Sequence, residues 1–320
     1  MIFVIRTHRV RLFVRGSRGA IAGSPVGRTM SYNVNFCSGR RMFWPRQATG
    51  APHRGSRFIV KSQRRSGTQS VERAVLLLKE LAARGEFGWQ LQDLSAHCGL
   101  DRSTTHRLLA CLVRERLVQQ HRTHGRYLPG PLLFEFGLSL PAYPAFQATC
   151  SAPLNRIAKR LGGTSLLYLR SGFDFVCAAR AGAAPMKALT IDVGTRRPLI
   201  VSVGGVAMLI ALPREEARAV VAQNMKRVAR FGAARIRSLE RVIRQSGSCG
   251  FGISQGEIVS GVSAFGVAIR SARGSPFASI SVVGPADNFP ALRITEVIGT
   301  LEEEAHWISR QAVRIFMSIN

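Results

Sequence analysis

Two amphipathic stretches separated by Gly99-Leu100-Asp101 constrain this chain more than any other feature of its sequence. From about Thr68, the residues Val71, Ala74, Val75, Leu78, Leu81 and Ala82 recur at three- and four-residue steps, which places them on one face of a helix. Gly85 and Gly88 end that helix. A second helix is expected over residues 91–97, with Leu91, Leu94 and Cys98 inward. A Gly followed by an apolar residue makes the tight turn of a helix-turn-helix, and Asp101 is placed to cap the next helix. This third helix, 102–114, turns Thr105, Leu108, Leu109 and Leu112 toward a core. That leaves Arg102, Ser103, His106 and Arg107 outward, with Thr104 at the helix start. Short hydrogen-bonding groups and cations near a helix N-terminus suit base edges and phosphates in a DNA major groove. Two short strands come next, 117–120 and 126–128. Their hairpin tip carries Arg122 and His124, and with Arg126 it reads as a wing. Arg73, Arg122 and Arg126 are expected at phosphates or the minor groove. His121 and His124 lack a third metal ligand nearby, so they read as solvated wing residues.

Charge does not locate the DNA-binding surface. The net charge is +27, yet residues 67–130 hold nine basic and six acidic side chains. Residues 1–66 hold 14 Lys and Arg and no Asp or Glu, with no sustained helical or strand period. That composition predicts a basic, disordered extension. The 320 residues are ample for two domains. No apolar run is long enough for a membrane span, and the start lacks the apolar stretch of a signal peptide. The six cysteines, Cys37, Cys98, Cys111, Cys150, Cys177 and Cys249, share no metal-binding spacing. A reduced, cytoplasmic setting is expected, with no cofactor and no metal.

The second half reads as mixed helix and strand. Residues 132–140 form a connecting helix stopped by Pro141 and Pro144, and another helix spans 146–161. Strands are expected at 165–170, 173–180, 189–193, 251–255, 261–269 and 278–283. Helices are expected at 204–212, 233–245 and 291–316, and one begins near Pro213. Strands interrupted by amphipathic helices imply an α+β fold on an antiparallel sheet. Gly204-Gly205 either brings backbone N–H groups to a ligand or packs a helix start tightly on the sheet. The expected layout is an extension over 1–66, a winged helix-turn-helix over 67–130, a linker helix over 131–145 and an effector-binding domain over 146–320.

A reading from another class competes. Gly252-Ile253-Ser254-Gln255-Gly256 fits the G-x-S-x-G pattern of a nucleophile elbow, and Asp287 and His306 come after it in the order of a serine hydrolase triad. The elbow requires a helix after the serine, whereas 257–269 reads as loop and strand. An esterase is therefore the alternative, and a non-enzyme is the expectation.

The chain resembles the IclR family of bacterial regulators. The resemblance lies in Ser70-Val71-Glu72-Arg73-Ala74, in the run from Gly99 to Leu109, and in Tyr127-Leu128-Pro129-Gly130. It continues through Val193-Gly194-Thr195-Arg196-Arg197-Pro198-Leu199, Gly204-Gly205-Val206-Ala207, Gly250-Phe251-Gly252 and Pro276-Phe277-Ala278-Ser279-Ile280-Ser281. The resemblance implies a GAF-like effector domain joined by a helix to the winged head. It implies a homodimer or dimer of dimers on a double-stranded DNA operator, and a small organic effector, acidic or aromatic. By position it implies an effector pocket of Met186, Leu189, Ser202, Gly204, Gly205, Ser254, Val262, Ala264 and Ser281. Some members with small keto-acid effectors have Asp at the place of Ser254 and Cys at the place of Ala264. Val203 also replaces a frequent Gly.

Overall fold

The structure, a computed structural model, describes residues 67–182 and 191–317. The expected extension 1–66, Cys37, and the pocket candidates Met186 and Leu189 lie outside the described residues.

The N-terminal part is a small helical unit with a hairpin. Helix α1 spans Gln69–Arg84, α2 Leu91–Cys98 and α3 Arg102–Arg114. Gly99 sits in the left-handed region (φ +64°), where a residue with a Cβ is strained, and closes α2. Strands β1 (Val118–Gln120) and β2 (Tyr127–Pro129) pair antiparallel, and Trp89 bridges to Tyr127. Leu77, Leu81, Leu94, Leu109, Leu112, Val118 and Tyr127 form one core. The predicted inner face of α1 is corrected. Leu77 is fully buried, while Val71 and Val75 are 63% and 41% exposed and Ala82 is exposed. Two apolar stripes share this helix, and only packing selects the one that meets α2 and α3.

Helix α4 (Pro131–Leu138) begins with Pro at its first position, where a missing N–H costs nothing. The connecting helix ends before Pro141, and helix α5 runs Ala142–Leu161, so it starts four residues ahead of the expected 146 and takes in Pro144. This proline lies in the first turn, whose N–H groups have no intrahelical partners.

The C-terminal part is one six-stranded antiparallel sheet between two helical layers. Its strands are β3 (Thr164–Ser171), β4 (Asp174–Ala181), β5 (Arg196–Pro198), β6 (Gly252–Gln255), β7 (Val262–Arg270) and β8 (Pro276–Pro285), in spatial order β5-β4-β3-β8-β7-β6. The third strand therefore falls at Arg196–Pro198, and residues 191–193 are not strand. Alternation along the strands separates the two faces. Leu167, Phe265, Val267, Ile269, Ala278, Ile280 and Val282 face α5 and α9 (Ile294–Met317). Leu166, Tyr168 and Val283 face α6 (Val203–Ile210), α7 (Arg214–Val228) and α8 (Ala233–Cys249). Asp174, itself 8% exposed, ties that second layer to the sheet. It accepts from Arg196 Nε at 3.1 Å and from Arg227.

Candidate functional site

The N-terminal end of α3 is built by Asp101. Its Oδ1 accepts from Thr104 N at 2.7 Å and from Ser103 Oγ at 2.8 Å, while its carbonyl accepts from Thr105 Oγ1. These donors hold the Asp101 carboxyl well below the usual carboxylate range, the Thr104 N–H contributing most. Arg102, Ser103, His106 and Arg107 are exposed, and Thr104 is half-buried with its Oγ1 3.4 Å from Arg107 Nη2. Arg122, His124 and Arg126 are exposed on the hairpin, and Arg73 is half-buried on α1. Arg126 Nη1 donates to Phe87 O at 2.9 Å, so its guanidinium lies over the segment that precedes α2. The wing tip is ordered by its histidines. The His121 and His124 rings stack at 4.9 Å, and His121 Nδ1 accepts from the backbone N–H groups of Thr123 and His124. Among the described residues, no three His, Cys, Asp or Glu side chains gather to hold a metal.

A cavity of about 180 Å³ lies on the sheet face beneath the start of α6. Its floor is set by the strand register. Ser254 pairs with Ala264 and Ala264 with Val283, while Leu166 and Gly266 flank Ser281. Ser202 stands at the mouth of α6 and caps it, its Oγ accepting from Gly205 N at 3.0 Å. Ser202, Ser254, Val262, Ala264 and Ser281 thus come together around one space.

Gly204 and Gly205 do not line it. A Cβ at Gly204 would stand 2.3 Å from the Tyr168 ring, and one at Gly205 would stand 2.1 Å from the Leu199 carbonyl oxygen. Close packing, the second of the two roles open to this pair, accounts for both glycines.

The lining also includes residues that sequence reasoning passed over: Tyr168, Arg197, Arg235 and Ile258 among them. Burial keeps the Tyr168 phenol protonated, and Cys177 beside it acts in the same direction. The Ser281 hydroxyl is near enough to influence that phenol, yet it has no partner at hydrogen-bond geometry. Burial, assisted by the charge of Arg197, lowers the pKa of Arg235.

The hydrolase arrangement is not assembled. Ser254 is buried in β6, its Oγ donating to Glu257 Oε2 at 3.2 Å and accepting from Ile258 N. The chain then turns into β7, not a helix. Asp287 is exposed in a short turn, and exposed His306 has its Nδ1 3.1 Å from Glu302 O on its own helix. The G-x-S-x-G match is a strand end whose serine is tied to its neighbours.

A helix-turn-helix head with a wing, joined to a sheet domain holding a small cavity, defines a ligand-responsive DNA-binding regulator. Comparison with known proteins agrees. Residues 70–122 match the IclR helix-turn-helix domain, and residues 146–310 match the bacterial transcriptional regulator IclR C-terminal domain. The chain belongs to the IclR family. It is 28% identical over 244 residues to the HTH-type transcriptional repressor AllR of Klebsiella pneumoniae, covering 76% of this chain and 89% of that protein. The AllR repressor of Escherichia coli K12 is 26% identical over 231 residues, covering 72% and 83%. Among solved structures, an IclR family transcriptional regulator from Brucella abortus aligns with a TM-score of 0.62 at 19% identity, covering 79% of this chain and 95% of its own. An IclR homolog from Microbacterium hydrocarbonoxydans, complexed with 4-hydroxybenzoate, aligns with a TM-score of 0.57 at 20% identity, covering 77% and 99%. No helix among the described residues is long and apolar enough to cross a membrane.

Proposed function

We propose that this protein works in the cytoplasm as a homodimer or dimer of dimers. It reads a two-fold related double-stranded operator and represses transcription until a small organic effector enters the cavity. The observation that carries this reading is the exposed donor-rich start of α3 beside the wing. Ser103, Thr104, His106 and Arg107 enter the major groove, while Arg73, Arg102, Arg122, His124 and Arg126 hold phosphates or the minor groove. Repression is supported by the AllR relatives, which are named repressors.

Self-association is supported by apolar surface that one chain leaves open. Phe134, Phe136 and Leu138 on α4 are 70%, 54% and 65% exposed, and Val71 and Val75 lie outward on α1. Large apolar side chains left exposed in this number suit an interface with a second copy. Linkage between the two sites is supported by the contact of α1 with β5, the edge strand that carries the cavity residue Arg197.

The test is fluorescence anisotropy on DNA from the gene's own upstream region. Arg107→Ala should weaken binding by roughly 1–3 kcal/mol and relax the preference at one base pair. Unchanged affinity and unchanged preference remove Arg107 from the reading surface.

A further inference from the structure

Helix α8 presents a row of arginines on its outer face. Leu239, Val242 and Ser246 turn inward, and Arg235 reaches the cavity. Arg237, Arg241, Arg244 and Ser248 are exposed, at steps of four, three and four residues. At roughly 3.6 residues per turn these steps fall within an arc of about 60°, and the three arginines line up over about 10 Å. Among the described residues no carboxylate pairs with any of the three, and Arg241 Nη2 meets only Ser238 Oγ at 3.3 Å. Glu240, the one acid of α8, is half-buried beside the row and forms no ion pair among the described residues. By contrast, Arg156, Arg180 and Arg218 are matched by Glu304, Asp192 and Glu215. Lys226 and Arg230, exposed at the turn from α7 into α8, likewise have no carboxylate partner among the described residues.

Like charges three and four residues apart on a helix repel, and a polyanion relieves that repulsion. The row also lacks an apolar anchor, because α8 exposes no large apolar side chain. A protein partner is held by buried aromatic or aliphatic groups at the centre of its interface. A membrane surface requires an apolar helix face beside the basic one, and the apolar face of α8 is buried in its own domain. Charge with short polar groups fits a phosphate backbone instead. Each strand of a DNA duplex offers a phosphate about every 3.4 Å along the axis, so a row of about 10 Å matches three of them. We propose that α8 is a second DNA contact, through which Arg237, Arg241 and Arg244 hold phosphates of the duplex that flanks the operator. The heads keep DNA close to this surface and raise its local concentration. The contact itself carries no sequence information. It rests on the operator reading above and adds to it a dependence on flanking length.

The experiment is fluorescence anisotropy with the full chain, on two duplexes from the gene's own upstream region. One is cut back to the base pairs that carry the sequence preference. The other extends about two helical turns (~20 bp) further on each side. The short duplex meets the heads alone. On the long one the slope of log K against log salt should be steeper by about 3 for each chain whose α8 is seated, three phosphates contributing about 0.9 each. Between about 50 and 200 mM salt that is an extra loss of roughly 40-fold in affinity. Arg237→Gln, Arg241→Gln and Arg244→Gln together should abolish the difference between the duplexes and leave the short one bound as before. Lys at the same three positions keeps the charge and should keep the difference. If the triple Gln variant loses its circular dichroism, Arg241→Gln alone should lessen the slope by about 0.9 per chain. Equal slopes on the two duplexes, or a long-duplex slope that the Gln exchanges leave unchanged, would overturn the α8 contact. Binding of polyglutamate through these arginines with no effect of the flanks would assign the row to an acidic protein and overturn it too. If the parent shows no operator preference while the long-duplex slope still depends on the three arginines, the α8 contact stands and the operator reading fails. If the preference holds and that dependence is absent, the reverse holds.

Discussion

Replacing Gly205 by Ala should destabilise the C-terminal sheet domain, although Ala favours helices. The added Cβ would stand 2.1 Å from Leu199 O and 2.8 Å from Leu199 C, where ordinary contacts begin near 3.4 Å. The obstacle is backbone rather than the end of a flexible side chain, so α6 must move by about an ångström. Overpacking of this kind costs roughly 1–3 kcal/mol, and a backbone clash belongs at the upper end. Ala gives back about 0.8–1 kcal/mol of helix propensity. The net is about 2 kcal/mol, or a fall of roughly 4–8 °C in melting temperature for a domain of this size. Gly247, also helical but exposed on α8, has nothing within 4 Å of its Cβ position. Gly247→Ala should therefore raise the melting temperature by about 2–4 °C. Differential scanning calorimetry on both variants decides the matter. A Gly205→Ala protein that melts at or above the parent temperature refutes the packing argument, and the Gly247 control excludes a general effect of Gly→Ala exchange.

Other consequences are as direct. Asp174→Ala removes the acceptor shared by Arg196 and Arg227. It should cost about 2–3 kcal/mol in a urea melt, less than the ~3–5 kcal/mol of a wholly buried pair because Arg227 is partly exposed. Burial pushes the Cys150 and Cys177 thiols up to about 12, and burial followed by Glu80 pushes Cys98 up to about 11. At pH 8 a thiol reagent should therefore label exposed Cys111 and Cys249 first and Cys98 slowly. Peptide mapping that finds Cys150 or Cys177 modified before unfolding would contradict that burial.

The head was legible because its signals are local. Gly99 adopts the left-handed conformation the turn demands, and Asp101 caps the helix that the apolar spacing outlines. Periodicity failed on α1, where Val71 and Val75 keep helical spacing but point outward. A sequence records that a stripe is apolar, not whether its own chain covers it. In the cavity, only family position pointed to Ser254, Ala264 and Ser281, and the sheet register sets them beside one another. Arg197 and Arg235 carried no such mark. Arg235 shares its helix with Arg237, Arg241 and Arg244, and only the packing of α8 selects which of them meets the cavity. Gly204-Gly205 offered two roles of equal plausibility in sequence. The Tyr168 ring, far away in sequence, and the Leu199 carbonyl, brought back over Gly205 by the turn into α6, decide between them.

Charge bears last on which part of the chain touches DNA. The head exposes Arg102, Arg107, Arg122 and Arg126, and Arg126 is already bonded to Phe87 O. If three of these meet phosphates in each of two heads, about six counterion sites are released, and log K should fall with log salt at a slope near −5. Residues 1–66 add 14 Lys and Arg per chain. Were that segment to lie on DNA, the count would pass ~10 and the slope would steepen beyond about −9. Anisotropy titrations from low to physiological salt, on the full chain and on a variant lacking residues 1–66, separate the cases. The winged head alone predicts equal slopes near −5 and an unchanged preference for the operator. A steep slope that relaxes on removal of residues 1–66 would make the extension part of the DNA contact. A steep slope with no operator preference in either protein would remove α3 as the reading element, because phosphate contacts alone carry no sequence information.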